Sequence, residues 1–494
     1  MVSGDWQVKR QSGIFAHFTS LPSPFGIGDF GVSAYRFIDA LVKADQKIWH
    51  VCTLNPTGFG DSPYQCLSSF AINPLFISPL KLYEAGLLTR GEIRNPPVFC
   101  ETKVAYGKVI GAKHRLYRKA FERFAPDEDF EAFCRREQAW LDDYALYCTI
   151  KDLHNNTSWS CWPDELKHRF PGALDKIRIG EERRRAYHAF VQYCAFRQYE
   201  AVRAYAGQSG VGLAGDLPHF VAYDSADCWS QPELFELDES GTPLAVAGVP
   251  PDYYSADGQR WGNPLYRWDW MREQGFAWWR RRLAKALSDF DYVRLNHFRG
   301  FDSYWSIRYR TGDAQEGSWR PGPGLEFFKS IDPASELSRL IADDGGEFVE
   351  GTRRLVSRLG IPGIAVLQFA FEAQGESPYL PYNLLPRSVL YTATHDNNTS
   401  LGWFEEQSPA SRTKICNYLG CTENGFIEAF IRNAYSSPAG IVIVPLQDVL
   451  GLGAKHRLNT PGKSQGNWRW RFTFDMLRAN RMMMLKKFAR WYGR

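Results

Sequence analysis

The chain has 494 residues, with 59 Lys and Arg against 55 Asp and Glu, and its net charge of +4 is too mild to mark a dedicated nucleic-acid binder. Hydrophobic residues make up 44% and charged residues 23%, a globular composition that excludes wholesale disorder. No run of about 18 apolar residues occurs, so no helical membrane span is expected.

The opening MVSGDWQVKRQSG lacks the apolar stretch of a secretory signal, which makes a cytoplasmic location the expectation. The ten cysteines form no C-x-x-C pair, a pattern of reduced thiols rather than of a zinc site or a disulfide frame.

Eight short apolar or β-branched runs are predicted as strands. In chain order they are GIFAHF (13 to 18), IWHVCTL (48 to 54), VGLAGDLP (211 to 218), YVRLNHF (292 to 298), LIADD (340 to 344), IAVLQF (364 to 369), SVLYTATHD (388 to 396) and IVIVPLQD (441 to 448). Helical stretches such as 32 to 45, 276 to 290 and 347 to 360 separate most of them. This alternation predicts an α/β protein, a (β/α)8 TIM barrel, with an open doubly wound sheet as the other arrangement that fits.

Two connections are too long for simple crossovers. Residues 55 to 210, after the second strand, carry amphipathic patterns at 111 to 124, 128 to 154 and 180 to 206 and predict a mainly helical insertion. Residues 219 to 290, after the third, are rich in Gly, Pro, Tyr and Trp and predict an aromatic, loop-rich roof over the barrel mouth. The end of the chain, 472 to 492, reads as a last helix on the barrel.

Two motifs are decoys. GIGDFG (26 to 31) has dinucleotide-site glycines, but TSLPSPF intervenes where a tight strand-to-helix turn is needed. WRWR (468 to 471) mixes cations and rings as a single-strand binder would, yet it is isolated and reads as a packed, solvated helix start.

Barrel active sites sit at the C-terminal ends of the strands. Asp216 ends the third predicted strand, Arg294 and Asn296 the fourth, Asp343 the fifth and Asp396 the seventh. One polar residue at a strand end is usually a helix cap, whereas five on one rim point to a site.

Here a resemblance becomes specific. GIFAHFTSLPSPFGIGDFG (13 to 31), GFGDSPYQ (58 to 65), GDLPHFVAYDSADCW (215 to 229), GQRWGNPLY (258 to 266), RLNHFRGF (294 to 301), IADD (341 to 344), VLQFAF (366 to 371), THDNNT (394 to 399) and RLNTPGKSQGNWRWR (457 to 471) occur in one order. That order is similar to amylomaltase, the 4-alpha-glucanotransferase or disproportionating enzyme of the alpha-amylase superfamily, over nearly the whole chain.

The resemblance implies retaining transfer on alpha-1,4-glucans or maltooligosaccharides, with no metal or organic cofactor. A carboxylate nucleophile and a carboxyl acid/base stand about 5 to 5.5 Å apart in such sites. It implies Asn296 at the nucleophile position, Asp343 at the acid/base position and Asp396 as transition-state stabiliser. It further implies that Tyr64, Asp216, Trp261, Arg294, His395, Asn459 and Pro461 bind substrate. Membranes and nucleic acids are not expected partners, and no protein partner is indicated.

Only Asp396 of the three matches the family pattern, which has Asp at the first position and Glu at the second. A carboxamide at 296 is a poor nucleophile, and Asp343 falls one methylene short. Asn398 and Gly345 also depart, standing where the family commonly has Asp and Leu. Asn296 fits either a substitution made to trap substrate or drift of the natural protein, and drift accounts for the other departures as well. The expected protein is a glucanotransferase type of strongly reduced or absent turnover, or a non-catalytic glucan-binding or regulatory pseudoenzyme.

Overall fold

The computed structural model describes residues 9–252, 255–310, 313–331, 334–344, 349–372 and 377–494, with side-chain surroundings for all of these but 334 and 335. Twelve strands occur among them: β1 (Gln11–Phe15), β2 (Ile48–His50), β3 (Gly212–Pro218), β4 (Ala245–Val249), β5 (Gln259–Pro264), β6 (Tyr292–Asn296), β7 (Ser303–Arg308), β8 (Ser318–Pro321), β9 (Leu340–Ala342), β10 (Gly363–Val366), β11 (Ser388–Tyr391) and β12 (Ile441–Pro445).

Eight of the strands close into a parallel barrel in the order β1, β2, β3, β6, β9, β10, β11, β12, and β12 pairs back onto β1. They are the eight predicted from sequence, so the chain is a (β/α)8 TIM barrel and the open sheet is excluded. Strands covered on both faces read as unbroken apolar runs. β12, with all five residues of IVIVP buried, is the plainest case.

The helix between β1 and β2, Val32–Lys43, turns Ala34, Phe37, Ile38 and Leu41 inward. Three long helices lie between β2 and β3: Tyr106–Arg123, Glu128–Leu153 and Glu182–Gln208. The last of these packs on the barrel itself. Its Tyr199 meets Phe18 and Phe30, and the side chain of Gln192 exchanges hydrogen bonds of 2.9 Å with both backbone groups of Ile72. The first is pinned through buried Lys113, whose ammonium donates to the carbonyls of Leu75 (2.7 Å) and Ile77 (2.9 Å) and meets Asp29 at 3.3 Å.

The roof takes in more chain than the predicted 219 to 290. It is a four-stranded antiparallel sheet in the order β5, β4, β7, β8, so half of it follows β6. Short strands of mixed polarity such as SYWSIR and SWRP give little period-two signal, which is why sequence reading predicted no strand there.

Both decoys turn out structural. A Cβ on Gly28 would lie 1.9 Å from the carbonyl oxygen of Phe18, so this glycine lets two backbone segments touch and leaves no room for a phosphate. WRWR is not a helix start. Trp468 is buried with φ 61°, its carbonyl accepts from the Tyr106 hydroxyl at 2.9 Å, and Trp470 bridges to Lys103.

β1 and β2 approach closely at Gly13, where a Cβ would sit 2.3 Å from the Ile48 carbonyl oxygen. Gly13→Ala is expected to lower stability by about 1–3 kcal/mol through overpacking, read as a lower urea midpoint with an unchanged slope.

Candidate active site

A cavity of about 600 Å³ opens at the C-terminal mouth of the barrel. Tyr64, Trp261, Arg294, Asn296, Asp343, His395, Asp396, Asn459 and Pro461 all line it. Residues spread over nearly four hundred positions thus share one sugar-sized hollow. Asp216 is the exception among the expected catalytic and substrate-binding residues, because it lies beneath the floor.

The Asp216 side chain is fully buried, and Arg294 is 2% exposed. One carboxylate oxygen accepts from Arg294 at 3.0 Å and from the Tyr64 hydroxyl, and the other meets His50 Nε2 at 2.9 Å. β3 and β6 are in register at Asp216 and Arg294, which places the pair side by side on neighbouring strands. Burial alone would raise the Asp216 carboxyl, but Arg294 and His50 outweigh it and hold it below the usual carboxylate range. Asp216 therefore positions Arg294 and Tyr64 rather than facing the cavity.

Arg294 reaches upward as well, to His395 Nδ1 at 3.3 Å and to Asp343 at 3.8 Å. Burial raises the Asp343 carboxyl, and the Arg294 guanidinium offsets only part of that rise. The Asn296 amide donates to Asp343 Oδ2 at 3.0 Å. The first two positions of the expected trio are thus in contact.

Asp396 lies past the end of β11, in the loop 394 to 399, where Thr394 and Asn397 close a turn. Burial would raise its carboxyl, yet His395, Asn459 and Arg294 together bring it below the ordinary value. His395 Nε2 stands 3.3 Å from the carboxylate, the Asn459 amide donates to it at 2.5 Å, and Arg457 donates to the Asp396 carbonyl. Tyr64 stacks on His395 with centroids 4.8 Å apart, and Trp468 packs against both rings.

Trp261 stands on β5, with the edge of His297 against it at 4.9 Å. Gln65 ties this part of the roof to the loop after β2, donating to the Trp261 carbonyl at 3.1 Å and to Asn263 Oδ1 at 3.0 Å. Asn398 turns elsewhere: its amide donates to Glu406 at 2.8 Å, away from the cleft. Gly345 lies outside the described residues.

Sequence reading missed His50, Gln65 and Arg457. His50 ends β2, but the predicted strand ran on to Leu54 and so put His50 inside it rather than at its end. Cys52, Asp216 and His395 bring potential metal-ligand atoms within 4.8 Å of one another, the one such cluster among the described residues. Arg294 already supplies the positive charge there, and burial holds the Cys52 thiol well above its ordinary value, in its protonated form. That donor set does not suit a divalent ion.

The family model described as 4-alpha-glucanotransferase matches residues 16–477. The chain belongs to that family. Among curated relatives, the 4-alpha-glucanotransferase of Synechocystis is 44% identical over 98% of both chains. That of Thermus thermophilus is 42% identical over 94% of this chain and 95% of its own. The structure of amylomaltase from Streptococcus agalactiae, in complex with acarbose, superposes with a TM-score of 0.95 at 36% identity, covering 98% of this chain and 100% of that one.

Asp344 also lines the cleft of this family member and accepts from the Ile364 amide at 3.0 Å. Burial, with Asp343 alongside, pushes its carboxyl up to about 7. Because the folded value lies above the unfolded one, the folded state binds more protons between pH 4 and 7, and Asp344 loses stability as pH rises through that window. Asp344→Asn keeps the acceptor and removes the charge. It is expected to raise stability at pH 8 by an amount on the order of 1–3 kcal/mol and to change little at pH 4, in urea titrations at the two pH values.

Proposed function

We propose that this protein binds alpha-1,4-glucans in the barrel mouth with the recognition groups of a retaining 4-alpha-glucanotransferase, and turns them over strongly reduced or not at all. The observation that carries the reading is the Asn296–Asp343 contact at the centre of an otherwise well-furnished cleft.

A retaining transfer needs an anion at the nucleophile position to attack the anomeric carbon and a proton for the departing oxygen. Asn296 offers neither an attacking oxygen of carboxylate strength nor negative charge for the oxocarbenium-like transition state. Its amide instead holds Asp343 at 3.0 Å. The raised Asp343 carboxyl suits proton donation, but its short side chain and its tie to Asn296 draw it away from a leaving oxygen. Asp396, kept ionised by its neighbours, is suited to gripping sugar hydroxyls and stabilising positive charge.

Tyr64, His395, Asn459 and Pro461 fit the donor sugar, and Trp261 fits the acceptor as an aromatic platform. Arg294 would orient the attacking group, and Asp216 would hold Arg294 in place. No helix among the described residues is long and apolar enough to cross a membrane.

The second reading, a non-catalytic glucan-binding or regulatory protein, uses the same cleft. Incubation with maltotriose separates the two: release of glucose with longer oligomers supports the enzyme, and binding without new products supports the binder. Asn296→Asp combined with Asp343→Glu is expected to raise transfer by about 10⁴-fold or more. No gain in that double variant, with maltotriose still bound, would place the defect in the surrounding loops. Trp261→Ala is expected to weaken maltooligosaccharide affinity about tenfold in calorimetry, through loss of a stacking surface.

A further inference from the structure

The Asn296 carboxamide is half-buried on the wall of the open cleft and donates at 3.0 Å to a carboxyl that burial raises above its ordinary value. A second acid of raised pKa, Asp344, follows in the chain and lines the same cavity. The cleft offers what amide hydrolysis needs: an open cavity at Asn296, a carboxyl at the leaving nitrogen and a second raised carboxyl next to it.

We propose that Asn296 is a self-modification site, at which the folded cleft hydrolyses the side-chain amide to a carboxylate. In its protonated form Asp343 gives its proton to Nδ2 as a water oxygen bonds to Cγ. The Cγ–N bond then breaks, ammonia leaves, and the proton shed by the water returns to Asp343. The new carboxyl ionises, ammonia takes up the released proton, and the net change is amide plus water to carboxylate plus ammonium. No oxidant or further reactant is consumed.

The competing route, in which the following backbone amide closes a succinimide, is disfavoured because Asn296 ends an extended strand and His297 is locked at φ 53° before a helical turn. Two other asparagines serve as internal controls. Asn398 faces Glu406 away from the cleft, and Asn459 faces Asp396, which its neighbours keep ionised and unable to hand over a proton.

The inference deepens the proposed function, because a carboxylate at 296 would be the missing nucleophile. The chain would then be a latent transferase whose activity grows with age. Since a nucleophile is worth about 10⁴-fold or more, conversion of about 0.1% of molecules would already lift transfer roughly tenfold above the amide form.

The test is a peptide map of purified full-length protein incubated at neutral pH and sampled over weeks, with transfer from maltotriose assayed on the same samples. A gain of roughly 1 Da at position 296, as aspartate, is expected about tenfold or more faster in the folded protein than in the same chain held in urea, and ahead of positions 398 and 459. Asp343→Asn should remove that advantage while the fold, checked by circular dichroism, persists.

Equal or slower conversion in the folded state overturns the inference, as does isoaspartate as the main product. Transfer by an Asn296→Asp variant while the parent keeps its amide overturns the inference and leaves the proposed function standing. The mass gain at 296 without transfer by the parent or by that variant supports the self-modification and overturns the glucanotransferase reading.

Discussion

The ion pair of Asp216 and Arg294 holds the barrel mouth together. A buried charge costs several kcal/mol unless each of its polar atoms is satisfied. Asp216 meets that condition with three partners drawn from β2, the loop after it and β6. Because Asp216 is saturated from below, Arg294 can extend its guanidinium toward Asp343 and His395. Strand register, aromatic stacking and the electrostatics of the cleft therefore converge on one contact. Coupled polar networks of this kind are rigid when complete and costly when one member is lost.

Two asparagines in this site have opposite meanings. Asn398 donates to Glu406, and a carboxylate there would face another carboxylate. The amide at 398 is accounted for by its neighbour. Asn296 faces Asp343 inside the cleft, and here the amide removes the anion that a retaining mechanism would use. The floor still presents Arg294 to this spot, so the electrostatic setting for a carboxylate outlasts the carboxylate itself. That mismatch between a prepared environment and a neutral side chain motivates both the reading of weak turnover and the inferred hydrolysis of Asn296.

Much of the scaffold could be read in advance, for a physical reason. Parallel strands covered on both faces must be apolar along their whole length, and runs such as IVIVP and VLY announce themselves. The roof strands, half-exposed and short, carry no comparable signal. The rim residues were legible because they end strands, and His50 was overlooked because the predicted strand ran on to Leu54, four residues past the true end.

The sequence by itself determined the eight barrel strands, the helical excursion after the second and the set of polar groups brought to one mouth, because periodicity and strand ends are local properties. Only the tertiary structure decided which way each group turns. It put Asp216 under the floor, Asn398 against Glu406, Trp468 against His395 and Asn296 on Asp343. Those outcomes depend on the register between strands far apart in the chain and on which neighbours fill the space between them, and no stretch of residues carries that information alone.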